Sequence, residues 1–393
     1  MYRFEVHSHT EYSNARLLDS TNTVENLINR AIELGLAGIA ITDHETTSGH
    51  PDANFYAEKI YETHPDFKIA LGNEIYLCDT REMGQPYYHF ILIAKNKIGQ
   101  RALRELSSRA WMNSFWDRGM ERVVTLKSDL EEIINKYPNS LIATTACLGG
   151  ELSTATTNML NAEAMFDYET RLNEYNHIIN FIQWCQNLFG EDFYIECAPA
   201  ASRDQVRVNK KLLDIANALN IDMVIGCDAH YLAKEDRYVH KAYLNSKDGD
   251  REVDAFYEYS YLQTEKEIFE NLRHSYSDEI ITMIFHNSMK IYEKIENYSL
   301  RHKQQIPKIE VTDYPSRAWW GVNNSYADDM ESYPTLKKMF TSNDKVRRYW
   351  VNECWQKLTE LGKIDDSRYL KRLEEEASIK EIISEKLETN MFA

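Results

Sequence analysis

The sequence has no apolar run near the 18 residues that would suggest a membrane-crossing helix. Its first residues, MYRFEVHSHTEYS, lack the apolar core and small-residue cleavage site of a secretory leader. None of the six cysteines (78, 147, 185, 197, 227 and 354) stands in a C-x-x-C pair. Unpaired thiols in a reducing cytoplasm are therefore expected, with one of the six available as a ligand. Positive charge is short: 45 Lys and Arg face 62 Asp and Glu, a net charge of −17. That balance argues against a protein that grips nucleic acid over its whole surface. Repeats and low-complexity tracts are absent too.

What is present suffices for a substantial core. The 393 residues allow one large domain with a smaller one, or two ordinary ones, and 43% of them are hydrophobic. One local exception to the acidic balance lies at 101–127, where Arg101, Arg104, Arg109, Arg118, Arg122 and Lys127 face only Glu105, Asp117 and Glu121. Trp111, Phe115 and Trp116 are interleaved with them. The pattern fits either a track for a single strand or an amphipathic helix with a solvated face.

Apolar segments near 2–7, 38–42, 68–77, 87–94, 140–145, 193–197 and 222–227 read as strands. Helical periodicity falls between most of them: 23–34, closed by Gly35, then 163–189 and 204–219. Alternation of this kind predicts a largely parallel sheet, open or closed into a barrel, with functional side chains at the C-terminal strand ends. After about residue 250 the pattern changes. Helices are expected at 264–273 and 277–298, then a loop-like stretch with Pro307, Pro315 and Pro334, then charged helix from 344 to 390.

The suspicious residues fall where strands end. His7 and His9 close the first strand, Asp43 and His44 the second, and Glu74 lies late in the third. Cys147 follows the fifth, while Asp228 and His230 follow the seventh. His89 opens its strand instead. The turn-like Asp79–Pro86 predicts an antiparallel hairpin that sets positions 74 and 89 level. H-x-H and D-x-H each place two donors on one face of a strand. Imidazoles, carboxylates and a thiolate together suit zinc, manganese or iron, with magnesium also compatible. Two or three such ions could clamp a phosphate for hydrolysis. Asp43, beside His44, is expected to orient that ligand or to act as acid or base. The other seven histidines (50, 64, 177, 240, 274, 286 and 302) are expected to be structural or solvent-facing.

HSHTEYS, AITDHETTSG, ALGNEIYL, YYHFILIAKN, ATTACLGGEL, FYIEC and GCDAHYL, in that order, resemble the N-terminal PHP (polymerase and histidinol phosphatase) domain of bacterial DNA polymerase III alpha subunits, phage-type ones especially. The resemblance covers roughly residues 2–270. It implies a distorted (β/α)7 barrel at 1–270, a mainly helical extension at 271–393, and up to three metals on nine residues. Carried over by motif, the ligands are His7, His9, His44, Glu74, His89, Cys147, Asp228 and His230. The ninth is Asp19, three residues later in YSNARLLD than in the common form.

Family members with the full set can act as 3′–5′ exonucleases, which implies single-stranded DNA 3′ ends as substrate. The remaining alpha polypeptide or other replication proteins would be partners. Members that have lost ligands serve as scaffolds. A metal-bound docking scaffold and a small-molecule phosphatase of the histidinol-phosphatase type are the alternatives. The stretch 344–392 resembles the approach to a polymerase palm. The close acid pairs Asp328-Asp329 and Asp365-Asp366, and the turn Asp248-Gly249-Asp250, read as solvated loops. No polymerase activity is therefore expected of this chain alone, whether it is truncated or one piece of a split polymerase.

Overall fold

The computed structural model describes residues 2–117, 119–246, 257–302, 310–316 and 332–386. Arg118, Asp248-Gly249-Asp250, Pro307 and Asp328-Asp329 lie outside them. Among the described residues ten strands form: β1 (Phe4–Glu5), β2 (Gly38–Ile41), β3 (Lys68–Cys78), β4 (Tyr88–Ala94), β5 (Phe115–Asp117), β6 (Met120–Arg122), β7 (Thr125–Leu126), β8 (Leu141–Thr144), β9 (Phe193–Cys197) and β10 (Met223–Ile225). Seven follow the expected segments. The short β5–β6 hairpin and β7 sit inside the basic stretch and were not expected.

The principal sheet runs β1-β2-β3-β4-β8-β9-β10, with β7 added beside β3. Every pairing is parallel except those of β4, which is antiparallel to β3 and to β8. The outer strands meet just past their ends. There the His9 amide donates to the Ala229 carbonyl at 3.0 Å and the Ala229 amide to His7 at 3.3 Å. The sheet thus closes into a distorted α/β barrel.

Local chemistry sets each connection. Helix α1 (Val24–Glu33) begins at Thr23, whose hydroxyl accepts from the Asn26 amide, and buries Val24, Leu27, Ile28 and Ala31. Burying each of the larger apolar side chains contributes about 1.5–3 kcal/mol. Past its end, Gly35 takes φ +69°, a conformation glycine adopts without strain. Further helices are α2 (His50–Tyr61), α3 (Lys97–Met112), α4 (Lys127–Lys136), α5 (Glu151–Ala164), α6 (Tyr168–Phe189), α7 (Arg203–Leu219) and α8 (Arg237–Leu244). The single helix expected at 163–189 gives way to α5 and α6. Between them Phe166 turns to positive φ, and the Asp167 carboxylate caps the new start by accepting from the Thr170 amide.

One apolar layer fills the space between sheet and helices, including Leu27, Ile39, Leu92, Phe181 and Leu212. A second fills the barrel interior with Phe4, Val6, Ala40, Ala70, Ile91, Ile142, Val224 and others. Ile291 and Ile295 belong to this interior cluster. They come from α10 (Asp278–Lys294) and the residue after its end; α9 (Glu265–Leu272) precedes it.

That packing corrects the expected boundary at 270. The chain divides at Leu300/Arg301, because α10 completes the barrel core and so belongs to the first unit. In the second unit, α11 (Pro334–Phe340), α12 (Lys345–Glu360) and α13 (Ser367–Lys386) enclose Leu336, Phe340, Val351, Trp355 and Leu370. Among the described residues no helix is long and apolar enough to cross a membrane.

Candidate metal centre

All nine expected ligands converge at one mouth of the barrel. The chain bends sharply as it leaves three of the strands. Glu45, Ala146 and Asp228 take φ of 50°, 57° and 49°, each within a few residues of the end of β2, β8 or β10. Non-glycine residues in this region carry a backbone cost of about 1–3 kcal/mol, and such strain clusters at functional sites. Gly150 makes a fourth close fit, since a Cβ there would lie 2.1 Å from the Thr145 carbonyl oxygen.

Three groups of donor atoms result, the atoms within each lying no more than 4.8 Å apart. His9, Asp19, His44 and His230 make the first. His7, His9 and Glu74 make the second, and Glu74, His89 and Cys147 the third. His9 therefore belongs to two groups, and Glu74 to two. Asp228 adds a carboxylate oxygen 3.2 Å from Nε2 of both His7 and His9.

Asp19, three residues late by sequence, sits with Oδ2 2.8 Å from His44 Nε2 and 3.0 Å from His230 Nε2. The short 3-10 turn Glu11–Ala15 precedes it, and the Asn14 side-chain oxygen accepts from its backbone amide.

His89 reaches the cluster by a register other than the expected one. Glu74 lies opposite Ile91, and Tyr76 lies opposite His89. β3 runs on to Cys78, which moves the turn outward and shifts the pairing by two residues. A shift of two keeps the same face. His89 Nδ1 meets Glu74 Oε1 diagonally at 2.8 Å.

Buried charge on this scale needs compensation. Both Glu74 oxygens and Asp19 Oδ2 are buried without an aligned hydrogen bond, although imidazole nitrogens stand 2.6–3.5 Å away. The atoms point at shared space rather than at one another, as donors around a cation do. Burial alone would raise the Glu74 and Asp19 carboxyls. Surrounding imidazoles outweigh it and hold both well below the usual carboxylate range. For Cys147, burial and then Asp228 and Glu74 push the thiol well up, so only a cation would ionise it there.

Three imidazoles are fixed in orientation by their second nitrogen. His7 Nδ1 donates to Glu196 Oε1 at 2.6 Å, His230 Nδ1 to the Asp228 carbonyl at 2.8 Å, and His9 Nδ1 lies 3.1 Å from Ser13 Oγ. Each leaves Nε2 facing the cluster, the arrangement that orients metal-bound histidine elsewhere.

The family model for the PHP domain matches residues 5–200. The chain carries a PHP domain. A DNA-directed DNA polymerase of Bacillus phage SPbeta is 40% identical over 404 residues, which is 98% of this chain and 30% of that protein. The DNA polymerase III subunit alpha of Borreliella burgdorferi is 31% identical over 238 residues, 59% of this chain and 18% of the subunit. The chain thus spans less than a third of the length of these curated relatives. An amidohydrolase structure from Chromobacterium violaceum is 15% identical with a TM-score of 0.35, covering 58% of this chain and 87% of that one.

Asp43, expected to orient His44 or to act as acid or base, is engaged on both carboxylate oxygens. Its carboxylate accepts from the Thr10 amide, the Thr10 hydroxyl and the Ser13 hydroxyl, and the residue is 2% exposed. Saturated in this way, it is a poor acid or base toward a substrate. It holds Ser13, whose Oγ in turn meets His9 Nδ1 and accepts from the His44 amide.

Glu196 was not singled out. Its signal was an acid inside the apolar strand FYIEC, where every residue is buried. His240, expected to be structural, approaches the centre from behind, its Nε2 2.6 Å from the Asp19 carbonyl oxygen.

The basic stretch disperses. Arg109 pairs with Glu132, Lys127 with Glu151, and Trp111 donates to the Glu45 carbonyl. Trp116 is exposed on the β5–β6 hairpin.

Proposed function

We propose that the PHP domain is a metal-dependent phosphoesterase that trims single-stranded DNA from its 3′ end, as part of polymerase III alpha-type replication machinery. The observation that carries this reading is the sharing of His9 and Glu74 between neighbouring donor groups. Shared ligands are the means by which a protein holds two or three divalent ions close enough to act on one phosphate. When bound, such ions supply Lewis acidity and a water acidic enough to act as nucleophile near neutral pH. A purely structural site needs four ligands, not nine.

The chain's own residues make the rest. His7, His9 and His230 present fixed Nε2 atoms, Glu74 and Asp19 bring negative charge into the mouth, and Cys147 shifts the balance toward the softer metals, zinc and iron over manganese. The curated relatives are DNA polymerases, which supports DNA as substrate.

The test is degradation of 3′- and 5′-labelled single strands by the purified chain loaded with manganese or zinc, beside elemental analysis. Shortening from the 3′ end, lost in His9→Ala, is expected. Stoichiometric metal with no hydrolysis of DNA would sink the proposal.

A further inference from the structure

Beside the metal centre two guanidiniums form no ion pair with a carboxylate among the described residues, although Arg16 stands close enough to the buried Glu45 to favour its charge. Arg16 lies over the Tyr76 ring, 4.9 Å from its centroid, and its hydrogen-bond contact is the Glu121 carbonyl at 3.5 Å. Arg122 lies 5.5 Å over the Tyr87 ring and donates to the Tyr87 hydroxyl at 2.8 Å, while its Nε is buried without a partner. The two tyrosines touch, their centroids 5.3 Å apart. Tyr76 also packs on the cluster itself, 5.0 Å from the His89 ring and 5.5 Å from His44. A ladder of rings therefore leads outward from the metal ligands, with a cation stacked on each of its tyrosines.

Most arginines among the described residues form an ion pair with a carboxylate, Arg3, Arg30, Arg273 and Arg347 among them. Arg81 and Arg109 likewise have carboxylate partners. Arg16 and Arg122 come from segments more than a hundred residues apart, brought together by the 3-10 turn before Asp19 and by β6.

We propose that Arg16 and Arg122, carried on Tyr76 and Tyr87, form the track that seats a single-stranded nucleic acid running into the centre. Arg16, one ring from the ligands, takes the phosphate next to the reacting one. Arg122, two rings out, takes the following phosphate. Guanidinium groups suit phosphate oxygens, and stacking on the tyrosine faces holds these two in place whatever the bases of the strand. This deepens the phosphoesterase reading and rests on it for direction only: a track explains how a strand, rather than a small phosphate ester, is selected.

The test is fluorescence anisotropy of a labelled oligothymidylate with the full chain in chelator, so that neither metal nor turnover is needed. Arg16→Gln and Arg122→Gln keep a polar stem and remove the charge, with circular dichroism as the check on folding. Each is expected to weaken binding about tenfold. Each should also lower the slope of log affinity against log salt by about 0.7, the value for one lost single-strand phosphate contact. Arg16→Lys should restore the salt slope. Binding within twofold of wild type with an unchanged slope would overturn the proposal, as would a wild-type chain that does not bind the strand. So would pyrophosphate competing as well as the oligonucleotide. Hydrolysis of a small chromogenic phosphodiester by the manganese-loaded wild type reports separately on the phosphoesterase reading.

Discussion

Glu196 offers the most discriminating perturbation of the metal centre, because it contacts one imidazole and lies outside all three donor groups. Its carboxylate is 1% exposed, accepts from His7 Nδ1 and from the Thr144 hydroxyl, and is reached by nothing from solvent. Glu196→Gln preserves volume and can still accept from His7 through its amide oxygen, so the ring stays in place but loses the basicity a carboxylate lends it. Glu196→Ala also frees the ring to turn. Losses at such supporting positions run from about 10- to 100-fold in metal affinity, or roughly 1.4–2.7 kcal/mol.

The glutamine variant is expected near the lower end and the alanine variant near the upper. His7 belongs to the second donor group alone. One class of bound metal should therefore loosen while the others hold. Glu74→Gln, by contrast, should loosen two classes. Dialysis against graded chelator, followed by elemental analysis, reads the occupancies. Uniform loosening of all metals in Glu196→Ala, or none, would refute the division into separate groups that share ligands.

Other outcomes follow from the same structure. His50 is buried, its Nε2 donating to the Gly72 carbonyl at 2.7 Å, and burial pushes its imidazole down to about 4. A depressed histidine contributes stability that is present above its unfolded value of about 6.5 and lost as pH falls toward 4, about 2 kcal/mol of it by pH 5. Urea unfolding in chelator at pH 7.5 and 5 should show this loss in the wild type and less of it in His50→Gln; equal losses would count against it. Gly150→Ala drives a Cβ into the Thr145 carbonyl and displaces the Cys147 turn. A lower melting temperature and loss of the metal held by His89 and Cys147 are expected, measured by calorimetry and elemental analysis. Phe90→Ala empties a fully buried site packed edge-on against Phe181, and should cost about 3–5 kcal/mol in urea unfolding.

Much of this protein was legible in its sequence. Strands buried on both sides read as continuous apolar runs, so seven of them were visible, and the two-residue period placed His7 with His9 and Asp228 with His230. What remained hidden depends on contacts between distant segments. Nothing local told the register of β4, because a hairpin's pairing is set by where its first strand stops, and β3 stops at Cys78. Asp43 looked catalytic from its neighbour in sequence. Only the fold shows that Thr10 and Ser13 occupy its oxygens. The reach of the barrel to residue 300 was likewise invisible, since an amphipathic helix such as α10 does not announce which core it will fill. The sequence determined which donors exist and that most of them lie at or just past the ends of strands. Tertiary structure decided how they are shared, which carboxylates support them from behind, and which arginines beside them form no ion pair.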